Sequence, residues 1–197
     1  IKNYTGFSDL TYIGGDFNGR CTAFTSMDGL PSLSFIGGAL HLEWSDLVTL
    51  GSLPSLDTIA GGIVLEHNWC LLEIDALSNI TSVPSIAIID NHQLLSIHGL
   101  SNLHTVTGDF EITSNYDLLN MDGLQNLSHI GGSFKILNND RLKNLGGLNN
   151  LGHIGNLELK FNDSLQQVTG LDQLATTTGN ILIESNLHLS HIGSLQN

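Results

Sequence analysis

Leu127-Ser128-His129-Ile130-Gly131-Gly132-Ser133-Phe134-Lys135-Ile136-Leu137-Asn138-Asn139-Asp140-Arg141-Leu142-Lys143-Asn144-Leu145-Gly146-Gly147-Leu148 is the clearest copy of a phrase that recurs along the chain. The copy before it reads Leu103, Val106, Gly108, Phe110, Ile112, Asn115, Leu118, Met121, Gly123 and Leu124 at the matching places. Asn returns at 68, 91, 115, 139, 162 and 186, so the period is 23 or 24 residues. Aligned on it, the chain divides into eight repeats that open at Leu10, Leu33, Leu56, Ile80, Leu103, Leu127, Leu151 and Leu174, after a partial turn over residues 1–9. A short fixed period in apolar residues and a turn residue together marks a solenoid, one coil per repeat.

Two rhythms share each repeat. Phe134 and Ile136 alternate by two, the pattern of a strand with one face inward. Leu142, Leu145, Leu148, Leu151 and Ile154 then step strictly by three, whereas a helix face mixes steps of three and four. The expectation is an all-β fold without convex-side helices: short extended pieces joined by corners, forming several narrow parallel sheets. Length changes fall between Ser45 and Leu47 and between Val83 and Ile86, where a corner absorbs what a strand cannot. With strands about 4.8 Å apart, eight coils make a rod roughly 40 Å long.

The Asn column, Asn68, Asn91, Asn115, Asn139, Asn162 and Asn186, is expected at one corner as a structural ladder. Its short side chain offers two donors and an acceptor to the backbone of its own turn and the next. Ser45 and Thr22 hold the column in the first two repeats, which predicts a weaker ladder there. The pairs Gly14-Gly15, Gly37-Gly38, Gly61-Gly62 and Gly131-Gly132 read as corner residues, serving positive φ or close packing.

The phrase I-G-G-x-L-x-I-x-x-N-x-x-L-x-x-L-x-G-L-x-x-L resembles the receptor L domain. That module occurs in insulin-receptor and epidermal-growth-factor-receptor ectodomains and in fungal glycolipid-anchored cell-wall proteins. The resemblance runs from Leu10 onward and implies a right-handed parallel β-helix with a place at the cell surface. The family's capping helix and disulfide-bonded segments have no counterpart here, and none of its ligand contacts transfers to a matching residue. Leucine-rich repeats are echoed by Leu-x-Ile-x-x-Asn, but the continuation is N-x-x-L rather than N-x-L.

Six Lys and Arg stand against 19 Asp and Glu, a formal charge of -13. Such a chain repels phosphate backbones and anionic lipid, so neither nucleic acid nor membrane is expected as a partner. No apolar run approaches transmembrane length. Sequons at Asn3, Asn79, Asn126 and Asn162 point to an extracellular or cell-surface glycoprotein carrying N-linked glycans. Asn79 and Asn126 share an outward slot, whereas Asn162 belongs to the ladder and is expected to stay unmodified. Cys21 and Cys70 lie two coils apart, about 9–10 Å, which is too far for a bridge. They are expected as buried free thiols, with bonds to a neighbouring chain the sharper alternative. The opening in mid-repeat reads as a piece of a longer chain or one segment of a fibre.

No catalytic, metal or cofactor constellation is expected. Glu111, Lys135 and Glu158 stack on successive coils as a compensated ladder rather than a catalytic set. His129 and His153 share a slot but lack a carboxylate or thiolate beside them. Tyr12, Phe35, Trp44 and Trp69 form the candidate contact surface, suited to protein or sugar. The sequence therefore points to a non-enzymatic rigid building block of a fibre, filament, wall or appendage, joined to copies of itself or to other chains of one assembly. The alternative is a receptor or adhesion ectodomain module that recognises a protein or glycan.

Overall fold

Each repeat's alternating segment forms one strand. A computed structural model describes Tyr4 and residues 6–193. It shows an all-β solenoid of about eight turns of roughly 23 residues. The longer strands Phe17–Arg20, Ala39–Glu43, Gly62–Glu66, Ile86–Ile89, Phe110–Thr113, His129–Leu137, His153–Lys160 and Ile181–Glu184 pair in parallel, each with the next turn. Two-residue strands ahead of them, such as Tyr12–Ile13, Phe35–Ile36 and Thr58–Ile59, form a second narrow parallel face. In His129–Leu137 and His153–Lys160 both faces merge into one bent strand, with a register shift between Ile130 and Ser133. The 23-residue turns indeed lose their residue between strands: Val83 pairs with Val106 and Ile86 with Phe110, so only the connection is shorter.

The third side is not the further sheet that the steps of three suggested. Most of its leucines are linked by bonds from residue i+3 back to residue i, interrupted once in each turn. Leu142 N–H donates to Asn139 O, Leu148 to Leu145 and Leu151 to Leu148, each at 3.0 Å. One turn of 3-10 helix appears at Asp75–Leu77, His98–Leu100 and Gly146–Leu148. A period of three is the period of that hydrogen bond, and it sends every third side chain inward. Sparse bonds such as Lys143 N–H to Leu119 O join this side to its neighbour turns.

The core is a set of apolar columns. Leu40, Ile63, Ile86, Phe110, Phe134 and Leu157 lie over one another, as do Leu42, Leu65, Ile88, Ile112, Ile136 and Leu159, all at most 2% exposed. At the N-terminal end Tyr4 packs on Phe17 and Phe24, and burial pushes its phenol up to about 12. In the last described turn Ile181, which pairs with buried Leu157, is 42% exposed, with no other described turn lying over it.

Beside the core runs the carboxamide ladder. Asn68, Asn91, Asn115, Asn139 and Asn162 are all 0% exposed. The backbone N–H of each donates to Oδ1 of the next, at 3.1, 3.2, 3.1, 3.0 and 2.9 Å along the series to Asn186. Each Nδ2 donates the other way, to the strand carbonyl of the preceding turn, as from Asn115 to Ile88 O at 2.8 Å. Ser45 does the same work with a hydroxyl, donating to Gly19 O while its N–H reaches Asn68 Oδ1.

The residue before each ladder position turns the corner. Cys21, Trp44, His67, Asp90, Ser114, Asn138, Phe161 and Ser185 all have φ between 51° and 57°. The left-handed region costs a non-glycine residue roughly 1–2 kcal/mol, and the bonds on either side of it hold it there. His67 N–H donates to Ile89 O at 3.0 Å, and Asn68 beyond it is bonded in both directions. Positive φ is thus mostly carried by other residues than the Gly-Gly pairs. Of those pairs only Gly62 has it, at 109°. Their service is close approach: a Cβ on Gly37 would come within 2.5 Å of Gly14 O.

Asn115→Ala orphans Asn91 N–H and two carbonyls inside the protein, so urea denaturation should show a loss of about 3 kcal/mol. Asn186→Ala, at a half-buried position, should lose less than about 1 kcal/mol. A Cβ on Gly147 would collide with the Met121 carbonyl, whereas one on Gly152 finds its nearest neighbour at 3.8 Å. Gly147→Ala should therefore cost about 1–3 kcal/mol, and Gly152→Ala should stay within about 1 kcal/mol of the parent.

Candidate functional site

The ladder decides what the corner displays. With the Asn side chain turned inward, the residues on either side of it turn outward. Successive turns then bring these side chains within ring-contact distance. Trp44 packs on His67 with centroids 4.1 Å apart and meets Trp69 edge-on at 5.2 Å. Trp69 continues to His92 at 6.3 Å, and His92 to Tyr116 at 4.7 Å. The result is an unbroken aromatic ribbon over four turns, on backbone fixed by Ser45, Asn68, Asn91 and Asn115. Trp44, Trp69 and Tyr116 keep 45, 49 and 39% of their surface exposed. Rings of this kind offer large contact area at little entropic cost.

Carboxylates line the ribbon. Asp90 Oδ2 lies 3.2 Å from His67 Nδ1, and its other oxygen 3.8 Å from His92 Nε2. Between the two tryptophans is a hollow of about 110 Å³ lined by Trp44, Ser45, Asp46, His67, Trp69 and Cys70. It combines apolar walls with a carboxylate, an imidazole and a thiol. Tyr12 and Phe35 stand on the short strands instead, stacked at 4.9 Å with planes 5° apart. The four aromatic residues singled out in the sequence thus occupy two different places. His67, His92 and Tyr116, which complete the ribbon, show up only when the columns on both sides of the Asn are read together.

Asn79 and Asn126 are exposed, and their Nδ2 groups donate to Pro54 O and Ser101 O of the preceding turn. Asn102 and Asn150 bond in the same way to Ser78 O and Gln125 O, making a second, outer Asn column. Asn162 Nδ2 is enclosed, donating to Ile136 O at 2.9 Å and Lys160 O at 3.0 Å. Asn3 lies outside the described residues.

Cys21 and Cys70 are free but exposed, not buried. Cys21 occupies a left-handed corner and Cys70 the turn after Asn68, both on the outward side of the ladder. His129 and His153 stack at 4.5 Å, and His153 Nδ1 lies 2.7 Å from Thr176 Oγ1. Lys135 pairs with Glu111 at 3.9 Å, while Glu158 is approached by Lys160 at 3.4 Å. A separate cluster was not visible as a motif: His41, Glu43 and Glu66 bring one ligand atom each within 4.8 Å of the others. Among the described residues no helix is long and apolar enough to cross a membrane.

Expression in a secretory eukaryotic host, followed by glycopeptide mass spectrometry, should show sugar on Asn79 and Asn126 and none on Asn162. A glycosylated Nδ2 keeps one hydrogen, enough for the outer column's single bond but not for the two that Asn162 makes. Full occupancy at Asn162 would mean that its turn is not packed as described. Compared with known protein families, curated proteins and solved structures, the chain has no match.

Proposed function

We propose that this chain is a non-enzymatic, rigid module of an extracellular, glycan-bearing assembly at a cell surface (a fibre, filament, wall or appendage). Its aromatic corner is the surface by which it joins copies of itself or other chains of that assembly. The observation that carries this reading is the continuous exposed ribbon from Trp44 to Tyr116 on a laddered scaffold. Aromatic residues at that exposure, held rigidly and in contact, have the composition of an interface centre. The sequons, the low content of charged side chains and the repeat's resemblance to receptor L domains agree with a place outside the cell.

The hollow between Trp44 and Trp69 favours a second reading, a receptor or adhesion module that recognises a protein or glycan. Its volume suits one side chain or one sugar ring rather than a whole partner.

Sedimentation velocity over a range of concentrations, with electron microscopy of the same samples, separates the two. The wild-type chain should associate as concentration rises. The double variant Trp44→Ala/Trp69→Ala should associate roughly thirtyfold more weakly, from about 2 kcal/mol lost at a buried anchor. Its thermal unfolding should be unchanged, because both rings are half exposed. A wild-type chain that stays monomeric yet binds a ligand saturably, with binding lost in the double variant, establishes the second reading. Association indifferent to both substitutions rejects the aromatic corner as the contact surface.

A further inference from the structure

Immediately before the aromatic corner, the outward face of the strands Ala39–Glu43 and Gly62–Glu66 gathers three ligand-bearing side chains. His41 and Glu43 are two apart on one strand and so point to the same side. Glu66 is the direct cross-strand partner of Glu43. Like charges opposite one another in a sheet repel, and a cation between them removes the repulsion. One is present in part: the Arg20 guanidinium contacts Glu43 Oε2, but its side chain is 58% exposed and reaches only one of the two carboxylates.

The buried atoms of this cluster have ion-pair contacts but no well-directed hydrogen bonds. Glu43 is 8% exposed, and neither its Oε2 nor His41 Nε2 finds a well-directed hydrogen bond although both atoms are shielded from water. They lie 3.3 Å apart, close enough for an ion pair if the imidazole is charged. That separation is also the edge of a tetrahedron whose ligands sit about 2.0–2.2 Å from a central ion. On the far side, Glu66 Oε1 lies 3.3 Å from His67 Nε2, whose Nδ1 faces Asp90 Oδ2 at 3.2 Å. Carboxylates that ligate metals are themselves held by neighbouring groups, and His67, backed by Asp90, is placed to hold Glu66 in this way.

We propose that His41 Nε2, Glu43 and Glu66 bind a divalent transition ion of the zinc class, with His67 and Asp90 positioning Glu66. The mixed nitrogen and oxygen set favours zinc or cobalt over calcium or magnesium, which take oxygen alone. Binding moves Arg20 from Glu43 Oε2 toward solvent and joins two successive turns through one ion. It also fixes the strand end that leads into Trp44 and the His67 ring on which Trp44 packs.

Titration with zinc chloride by calorimetry, and with cobalt(II) followed by visible absorption, tests this on the intact chain. One equivalent should bind, with the intense bands of tetrahedral cobalt, and should be removed by a chelator. His41→Ala and Glu66→Gln should each weaken binding by more than about tenfold. His153→Ala, which breaks the stacked histidine pair elsewhere, should leave it unchanged. Circular dichroism of both ligand variants without metal should match the parent, since the two side chains point outward. Binding that survives His41→Ala, or that disappears with His153→Ala, overturns the assignment. So does a wild-type chain without saturable binding, which would leave His41 and Glu43 as a plain ion pair.

Discussion

The turns from Ser45 to Asn186 depend on one bond, from the backbone N–H of a ladder residue to the side-chain oxygen of the ladder residue in the next turn. The donor is buried and has no strand partner, because the chain is leaving the sheet at that point. Without Oδ1 it would be an orphan inside the protein, and the corner would have to open toward water. The amide's own hydrogens then close the strand carbonyl of the turn behind, as Asn115 does for Ile88. The side chain thus ties its own turn to the one behind, and the residue's backbone N–H reaches the turn ahead. That is why Asn is kept where Gln would be too long and Asp would bury a charge. The left-handed corner residues are tolerated on the same account.

Much of this is legible in the amino-acid order. The Asn spacing, the alternation of Phe134 with Ile136 and the placing of the single-residue deletions all follow from needs that recur per turn and act on side-chain type. The steps of three are visible too, but the extended pieces they suggest are turns in the structure. The turn bond from Leu142 N–H to Asn139 O has the same period as a corner-and-strand pattern, and periodicity alone does not separate them. The left-handed column was not legible. It is filled by Cys21, Trp44, His67, Asp90, Ser114, Asn138, Phe161 and Ser185, which share no chemistry. The demand there is on the backbone, and the ladder meets it without recruiting glycine. The cysteines are exposed rather than buried for that reason: the corner turns their slots outward.

The candidate sites are asymmetric along the rod. The aromatic ribbon and the His41, Glu43, Glu66 cluster lie together between residues 41 and 116, toward the end where the ladder begins with Thr22 and Ser45 rather than Asn. Four of the six basic residues, Lys135, Arg141, Lys143 and Lys160, lie beyond them in the more regular turns. Regularity and chemistry are therefore partly segregated. The later turns repeat the consensus most faithfully, and the earlier ones depart from it at outward positions, where packing places no constraint on the side chain.

Each coil hands its neighbours the same donors on one side and the same acceptors on the other, which makes length a separable property. Excising or duplicating a complete repeat between equivalent points leaves every amide facing a carbonyl, so the rod changes by about 4.8 Å without a new joint having to be invented. A one-residue cut inside a strand turns the apolar columns outward, whereas the connection between Val83 and Ile86 is one residue shorter with both strands still in register. Such a molecule can be tuned in reach by copying units of its own gene while the rings on its edge stay in contact.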